Sequence, residues 1–127
     1  MREITFRGKR IDNGKWVYGY YKYSKMLDEH IIVGDDDYVS YTVIPETVGQ
    51  YTGLKDRNGV KIFEGDIVKG YSVYPTDSTF ESFLMGEVYY TDRGTWDCYS
   101  YILGGFNEQV EVIDNIHDNP EPIGVKK

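Results

Sequence analysis

One cysteine, two histidines and a scatter of carboxylates are the residues of this 127-residue chain that could do chemistry. Cys98 stands between Asp97 and Tyr99, on a segment that reads as a strand, and faces the same way as Trp96. A nucleophilic thiol needs a base, an orienting group and an electropositive setting. The neighbours of Cys98 are acidic and aromatic, so it reads as a buried core thiol, a common state of free cysteine. Cys98 as a nucleophile is what an enzyme hypothesis would rest on. A lone cysteine excludes an internal disulfide and a zinc site built from several thiolates. His30 and His117 lie far apart, with no partner at zinc spacing. Asp35, Asp36 and Asp37 lack the alternating ligands and glycine of a calcium loop, and the stretch from Asp56 to Gly59 lacks its later bidentate glutamate. Glu64 and Asp66 would share a strand face, but Gly65 bends the chain between them. No G-x-S-x-G elbow, P-loop or G-x-G-x-x-G occurs. The expectation is a protein that is not an enzyme and holds neither cofactor nor metal.

Two other residue sets could bind rather than react. Arg7, Lys9 and Arg10 form a basic patch, joined in the sequence by Arg2 and, at the far end, Lys126 and Lys127. Phosphate binding needs several such cations, and a formal net charge of −7 works against it. Nucleic-acid contact through Arg7, Lys9 and Arg10 is therefore the alternative reading, not the leading one. Imitation of DNA is weaker still, because 21 carboxylates are interspersed with 14 basic residues.

The second set is tyrosine, with 13 copies. "YGYYKY" puts Tyr18 and Tyr20 on one strand face and Tyr21 and Tyr23 on the other. "WDCYSY" puts Tyr99 and Tyr101 opposite Trp96 and Cys98. A two-layer domain buries one face of such a strand. The remaining rings belong to a second layer within the chain or to a contact with a partner, where tyrosine is enriched. Tyr21, Tyr23, Tyr99 and Tyr101 are the candidate protein contacts.

The elements that must position these residues read as short strands. No window of a dozen residues carries helical periodicity; Ser24 to His30 could make one or two helical turns capped by Ser24. Asn13-Gly14 marks a hairpin between "EITFRG" and "KWVYGYYKY". Gly19 inside the second strand marks a bulge or a close backbone approach. "HIIVG" and "YVSYTVI" follow, the latter stopped by Pro45. In "QYTGLKDRNGVKIFEGDIVKG", Asp56, Asn58 and Gly59 suit a turn, and Gly65 a sharp bend in which Asp66 accepts backbone N–H groups. That stretch reads as scaffold, with Val48 and Tyr51 inward, and Val60 and Ile62 on one face. Ser72 to Phe83 reads as a long loop. In a further hairpin Val88 and Tyr90 share one face, Asp92, Arg93 and Gly94 make the turn, and Trp96 and Cys98 share a face of the return strand; Val110, Val112 and Ile116 alternate along the last strand.

Three blocks, "REITFRGKRIDNGKWVYGYY", "VIPETVGQYTGLKDRNGVKIFEGDIVKG" and "EVIDNIHDNPE", closely resemble the YopX family of small phage and prophage proteins, mostly from Firmicutes. They stand in the family's order and reach both ends of the chain; residues 71–109 match only through "GEV". The resemblance implies an all-β fold with an SH3-like barrel and a phage or prophage origin. The family has no established biochemical function, so no catalytic residue carries over.

Together these readings predict short antiparallel strands forming an SH3-like barrel with an N-terminal β-hairpin extension. One domain spans 1–127, with the hairpin region at about 1–48 and the barrel-like region at about 49–120. The expected function is that of a phage accessory protein. It would bind a host or phage protein, or itself as a homo-oligomer. With no signal segment and no apolar run long enough for a bilayer, it is expected in the host cytoplasm, away from membranes.

Overall fold

The computed structural model describes residues 4–35, 37–71, 83–98, 101–105 and 107–118. The described chain is all-β, with strands in two antiparallel sheets and regular helix limited to three-residue 3₁₀ turns. In order the strands are β1 (Phe6–Lys9), β2 (Trp16–Ser24), β3 (Glu29–Gly34), β4 (Ser40–Thr42), β5 (Gly49–Lys55), β6 (Lys61–Phe63), β7 (Asp66–Tyr71), β8 (Phe83–Tyr90), β9 (Trp96–Cys98), β10 (Tyr101–Ile102) and β11 (Val110–Asn115). Two compact units divide between Gly53 and Leu54.

In the first unit the strand order is β4-β3-β2-β1-β5. β1 and β2 form the hairpin that Asn13-Gly14 announces. Gly14 takes φ +71°, and the Lys15 amide donates to Asn13 Oδ1 at 2.9 Å. β2 and β3 pair from Gly19↔Gly34 to Ser24↔Glu29. Ser24 does cap, but it caps a turn rather than a helix: the Leu27 amide donates to its Oγ at 3.3 Å. The close approach inferred at Gly19 is real, since a Cβ there would stand 1.7 Å from the Val33 carbonyl oxygen. Gly8 makes the same kind of room for Val43 at 3.0 Å. Ile32 and Val43, at 0% and 1% exposure, are the most buried apolar residues of this unit. Pro45 ends the strand run and opens a 3₁₀ turn, Pro45–Thr47. Thr47 Oγ1 there accepts from the Lys9 amide. A single bridge, Arg10↔Val43, brings the end of β4 beside the end of β1.

In the second unit, β6 returns beside the end of β5 across a tight turn. Gly59 there has φ +79°. Asp56 Oδ1 accepts from the Asn58 and Val60 amides. Ile62 is buried, but Val60 sits outside the strand and is exposed, so the two do not share a buried face. The "EGD" bend is as read: Gly65 has φ +88°, and Asp66 Oδ2 accepts from the Phe63 amide at 2.8 Å. The second sheet has the order β10-β9-β8-β7-β11. The core of this unit gathers Ile62, Val68, Val88, Cys98, Leu103 and Val110, with Leu54, Trp96 and Val112 packed against it. Each fully buried side chain of this kind contributes roughly 1.5–3 kcal/mol relative to exposure.

The expected barrel does not close. Barrel closure needs a continuous ladder around the whole sheet. The outer edge of β11 meets a turn instead of a strand: the Arg57 amide donates to the Val110 carbonyl, and the Val112 amide donates to Asp56 Oδ2. The last strand also departs from simple alternation. A register shift between Val112 and Asp114 interrupts it, and Ile116 falls beyond its end. Apart from Phe83, with which β8 begins, the long loop expected at Ser72–Phe83 lies outside the described residues.

Candidate functional site

Strand alternation and the β2–β3 register decide where the tyrosines go. Tyr23 lies directly opposite His30, and Tyr21 opposite Ile32. The odd-numbered face of β2 thus carries Tyr21 and Tyr23 beside a histidine. The Tyr21 hydroxyl is hydrogen-bonded to His30 Nδ1, and the two rings stack at 5.8 Å. The Tyr23 ring lies tilted 5.0 Å from that of His30, and Phe6 packs on Tyr21 at 5.7 Å. At the hairpin turn Asp28 takes φ +51°, an αL position that Asp tolerates. The Tyr23 hydroxyl donates to Asp28, and this hydrogen bond is the main reason its pKa is raised.

Tyr21 is half-buried and acts as packing, while Tyr23 is exposed. In the turn beyond Tyr23, Met26 is 93% and Leu27 62% exposed, and Tyr20, on the opposite face of β2, is 58% exposed. The other two predicted contacts fall elsewhere. Tyr99 lies outside the described residues, and only the backbone of Tyr101 is described, paired with Cys98.

The basic patch is divided by the same alternation. Arg7 and Lys9 share a face with Trp16, the Arg7 guanidinium 4.5 Å and the Lys9 ammonium 5.5 Å from its ring centre. Arg7 is buried, at 5% exposure. Arg10 points to the opposite face. It forms an ion pair with Asp12 at 2.6 Å and lies 4.6 Å over the Tyr41 ring. The hydrogen bond from Arg10 holds the Asp12 carboxyl below its ordinary range.

Tyr41 anchors a second group, with Asp37 and Val39. Its hydroxyl donates to Asp37 Oδ2, and the Val39 amide donates to Asp37 Oδ1 at 2.9 Å. The Tyr41 hydrogen bond and then the Val39 amide keep the Asp37 carboxyl below its usual range, and the same bond raises the Tyr41 hydroxyl. Tyr38, beside it, is exposed at φ +56°, an uncommon conformation for a bulky side chain. Next to this group a cleft of about 270 Å³ is lined by Trp16, Val17, Tyr18, Gly34, Asp35, Asp37 and Tyr41. A four-residue offset between hydroxyl and carboxylate across a short turn was the available signal for the Asp37–Tyr41 pair.

Cys98 lies in the core at 0% exposure, and its thiol is pushed up to about 12, mainly by burial, with Asp97 and Glu87 adding to it. The thiolate that nucleophilic chemistry requires is strongly disfavoured there. Among the described residues no three His, Cys, Asp or Glu side chains gather as a metal site, and no helix is long and apolar enough to cross a membrane.

The comparisons with known proteins bear on both units. The family model described as YopX protein matches residues 5–123. No curated protein matches the chain. Among solved structures, the chain is similar to a crystal structure of protein EF1440 from Enterococcus faecalis. The identity is 26%, covering 95% of this chain and 98% of that one, with a TM-score of 0.58.

Proposed function

The chain belongs to the YopX family, and from that premise we propose that it is a phage or prophage accessory protein acting in the host cytoplasm as a non-catalytic protein-binding module. The observation that carries the reading is the β2–β3 hairpin. It holds Tyr20, Tyr23, Met26 and Leu27 in solvent on a rigid two-strand support. Tyr23, with Met26 and Leu27 of the adjoining turn, offers the kind of exposed apolar and aromatic surface that marks interaction sites, and Tyr20 is exposed on the opposite face of β2. Tyrosine and methionine are among the residues enriched there. The ring contacts of Tyr21, His30 and Tyr23 order those three side chains before binding, which lowers the entropic cost of association. Self-association through the same hairpin belongs to this reading. A nucleic-acid role for Arg7, Lys9 and Arg10 has less in its favour, because Arg7 is buried against Trp16 and Arg10 is neutralised by Asp12.

The test is affinity capture from bacterial lysate with and without nuclease, beside sedimentation of the purified protein. A specific protein retained after nuclease, or a dimer, should be lost in the double variant Tyr23→Ala/Leu27→Ser. Capture that disappears with nuclease would move the function to the basic residues. Capture and oligomeric state both indifferent to the double variant would remove the hairpin from the reading.

A further inference from the structure

Two Asn-Gly steps stand in this chain, Asn13-Gly14 and Asn58-Gly59, and every other asparagine is followed by a larger residue or by proline. Asn-Gly is the dipeptide in which a chain most readily attacks itself. Glycine has no Cβ to shield its backbone nitrogen, and it leaves the peptide free to turn toward the carboxamide. Both steps lie in exposed turns, with Gly14 at φ +71° and Gly59 at φ +79°. A Cβ on either glycine would meet nothing within 4 Å, so each turn has room for a ring to close. The two glycine amides are held alike. Gly14 N–H donates to the Arg10 carbonyl at 2.9 Å, and Gly59 N–H donates to the Asp56 carbonyl at 3.0 Å.

What differs is the carboxamide. The Lys15 amide donates to Asn13 Oδ1 at 2.9 Å. That bond folds the side chain back over the intervening Gly14 nitrogen. It also places an N–H where oxyanion charge develops once Cγ is attacked. At the second turn the matching amide, Val60 N–H, donates to Asp56 Oδ1 instead. Asn58 Nδ2 reaches Glu111 of β11 at 3.5 Å, which turns that carboxamide toward the neighbouring strand. The Asn58, Val60 and Val112 amides all donate to the buried Asp56 carboxylate, so this turn opens less readily than the first.

We propose that Asn13 is a site of spontaneous deamidation and isomerisation, from which the fold protects Asn58. The Gly14 backbone nitrogen bonds to Asn13 Cγ, the Cγ–Nδ2 bond breaks, and the displaced amide proton leaves with Nδ2 as ammonia. Water then opens the succinimide ring. Cleavage between nitrogen and Cγ gives aspartate. Cleavage between nitrogen and the original main-chain carbonyl carbon gives isoaspartate, with Cβ and Cγ now in the main chain. No oxidant and no enzyme takes part. Either product adds a negative charge beside Asp12, whose carboxylate pairs with Arg10 at 2.6 Å. Isoaspartate also lengthens the main chain of the β1–β2 turn.

The test incubates the full chain in mildly alkaline buffer, folded in one sample and in denaturant in another. Peptide mapping by mass spectrometry, with aspartate and isoaspartate separated by chromatography, follows both asparagines in the same molecule. Asn13 is expected to convert roughly tenfold faster than Asn58 in the folded chain, because only its carboxamide is held for attack. The two rates should converge in denaturant. In Asp56→Ala, which frees the Val60 amide, Asn58 should speed up severalfold while Asn13 keeps its rate. Equal rates in the folded chain, or a faster Asn58, overturn the proposal. So does a lead of Asn13 that survives denaturant unchanged, since it would then belong to the neighbouring side chains and not to the turn. An Asn58 rate unmoved in Asp56→Ala overturns the protection assigned to the second turn.

Discussion

Replacing Asp56 tests whether a buried carboxylate in the most polar stretch of the chain is scaffold. Asp56 is 4% exposed. Its Oδ1 accepts from the Asn58 amide at 2.8 Å and the Val60 amide at 2.9 Å, and its Oδ2 accepts from the Val112 amide at 2.9 Å. Hydrogen bonds to a charged group contribute about 1.5–3 kcal/mol each when water cannot replace the partner. Asn58 and Val60 are exposed, so their amides recover much of the loss from water. Val112 lies on the edge of β11, and its amide has less access. Asp56→Ala is therefore expected to cost about 3 kcal/mol. Asp56→Asn keeps one oxygen for the turn but sets an amide NH₂ against the Val112 N–H, costing about 2 kcal/mol. For a chain of this length these losses lower Tm by about 12 and 8 °C.

Denaturant unfolding should show a lower midpoint at unchanged slope in both variants. Hydrogen exchange at the Val112 amide should speed up by about tenfold beyond the global change in Asp56→Asn, because its partner is lost locally. Val110 and Val112 also offer their outer backbone groups to this turn. Loss of the turn opens a strand edge, so both variants should aggregate faster on mild heating. A cost below about 0.5 kcal/mol, or unchanged protection at Val112, would refute the claim that the turn seals β11.

The remaining predictions concern other parts of the chain. The Cys98 thiol, raised from 9.0 to about 12, keeps its proton in the folded state after the unfolded chain has lost it. Its stabilisation is thus complete below pH 9 and lost as pH rises through 12, at up to about 1.4 kcal/mol per pH unit. Cys98→Ala should flatten that part of the pH–stability curve, and native labelling by a thiol reagent at pH 8 should be slow; rapid labelling would contradict the burial. Gly19→Ala drives a Cβ onto the Val33 carbonyl and should cost at least about 3 kcal/mol, read by thermal unfolding. A near-neutral effect would mean that β2 and β3 are not so close. Tyr41→Phe removes the largest influence on Asp37, so the Asp37 carboxyl should titrate higher by carbon NMR; an unmoved titration would deny the hydrogen bond.

What was legible in the sequence is what depends on neighbours along the chain. Asn13-Gly14, Asp56 to Gly59 and Gly65-Asp66 each complete their turn within four residues, and each forms the turn that its residue types require. Two-residue alternation likewise put Val88 with Tyr90, and Trp96 with Cys98, on shared strand faces, and the structure pairs them as Val88 with Cys98 and Tyr90 with Trp96. What was not legible depends on distant partners. The third bond of Asp56 reaches 56 residues along the chain to Val112, and that bond puts a turn where barrel closure would need a strand. The charge of Arg7 argues for the surface; the indole of Trp16, nine residues away across a hairpin, takes it into a buried position. The pattern placed Val60 with Ile62, but the demands of the turn took Val60 out of the strand.

The use of the carboxylates argues for looking at the first unit for function. In the second unit the buried carboxylates serve the fold: Asp56 and Asp66 accept backbone N–H groups in turns, and Asp97 accepts from the Thr95 hydroxyl and the Arg93 guanidinium. In the first unit Asp12, Asp28 and Asp37 are exposed, and each holds a side chain: a guanidinium, a tyrosine hydroxyl and another tyrosine hydroxyl. Exposed pairs of this type contribute little to stability, because water screens them and long side chains lose freedom in forming them. Their effect is to hold rings and charges in fixed positions at the surface. A fold gains little from that arrangement, whereas a binding face does, since every side chain already ordered is one that a partner need not order. The ring held this way at the hairpin, Tyr23, is where substitution should change binding while leaving the unfolding midpoint almost unmoved.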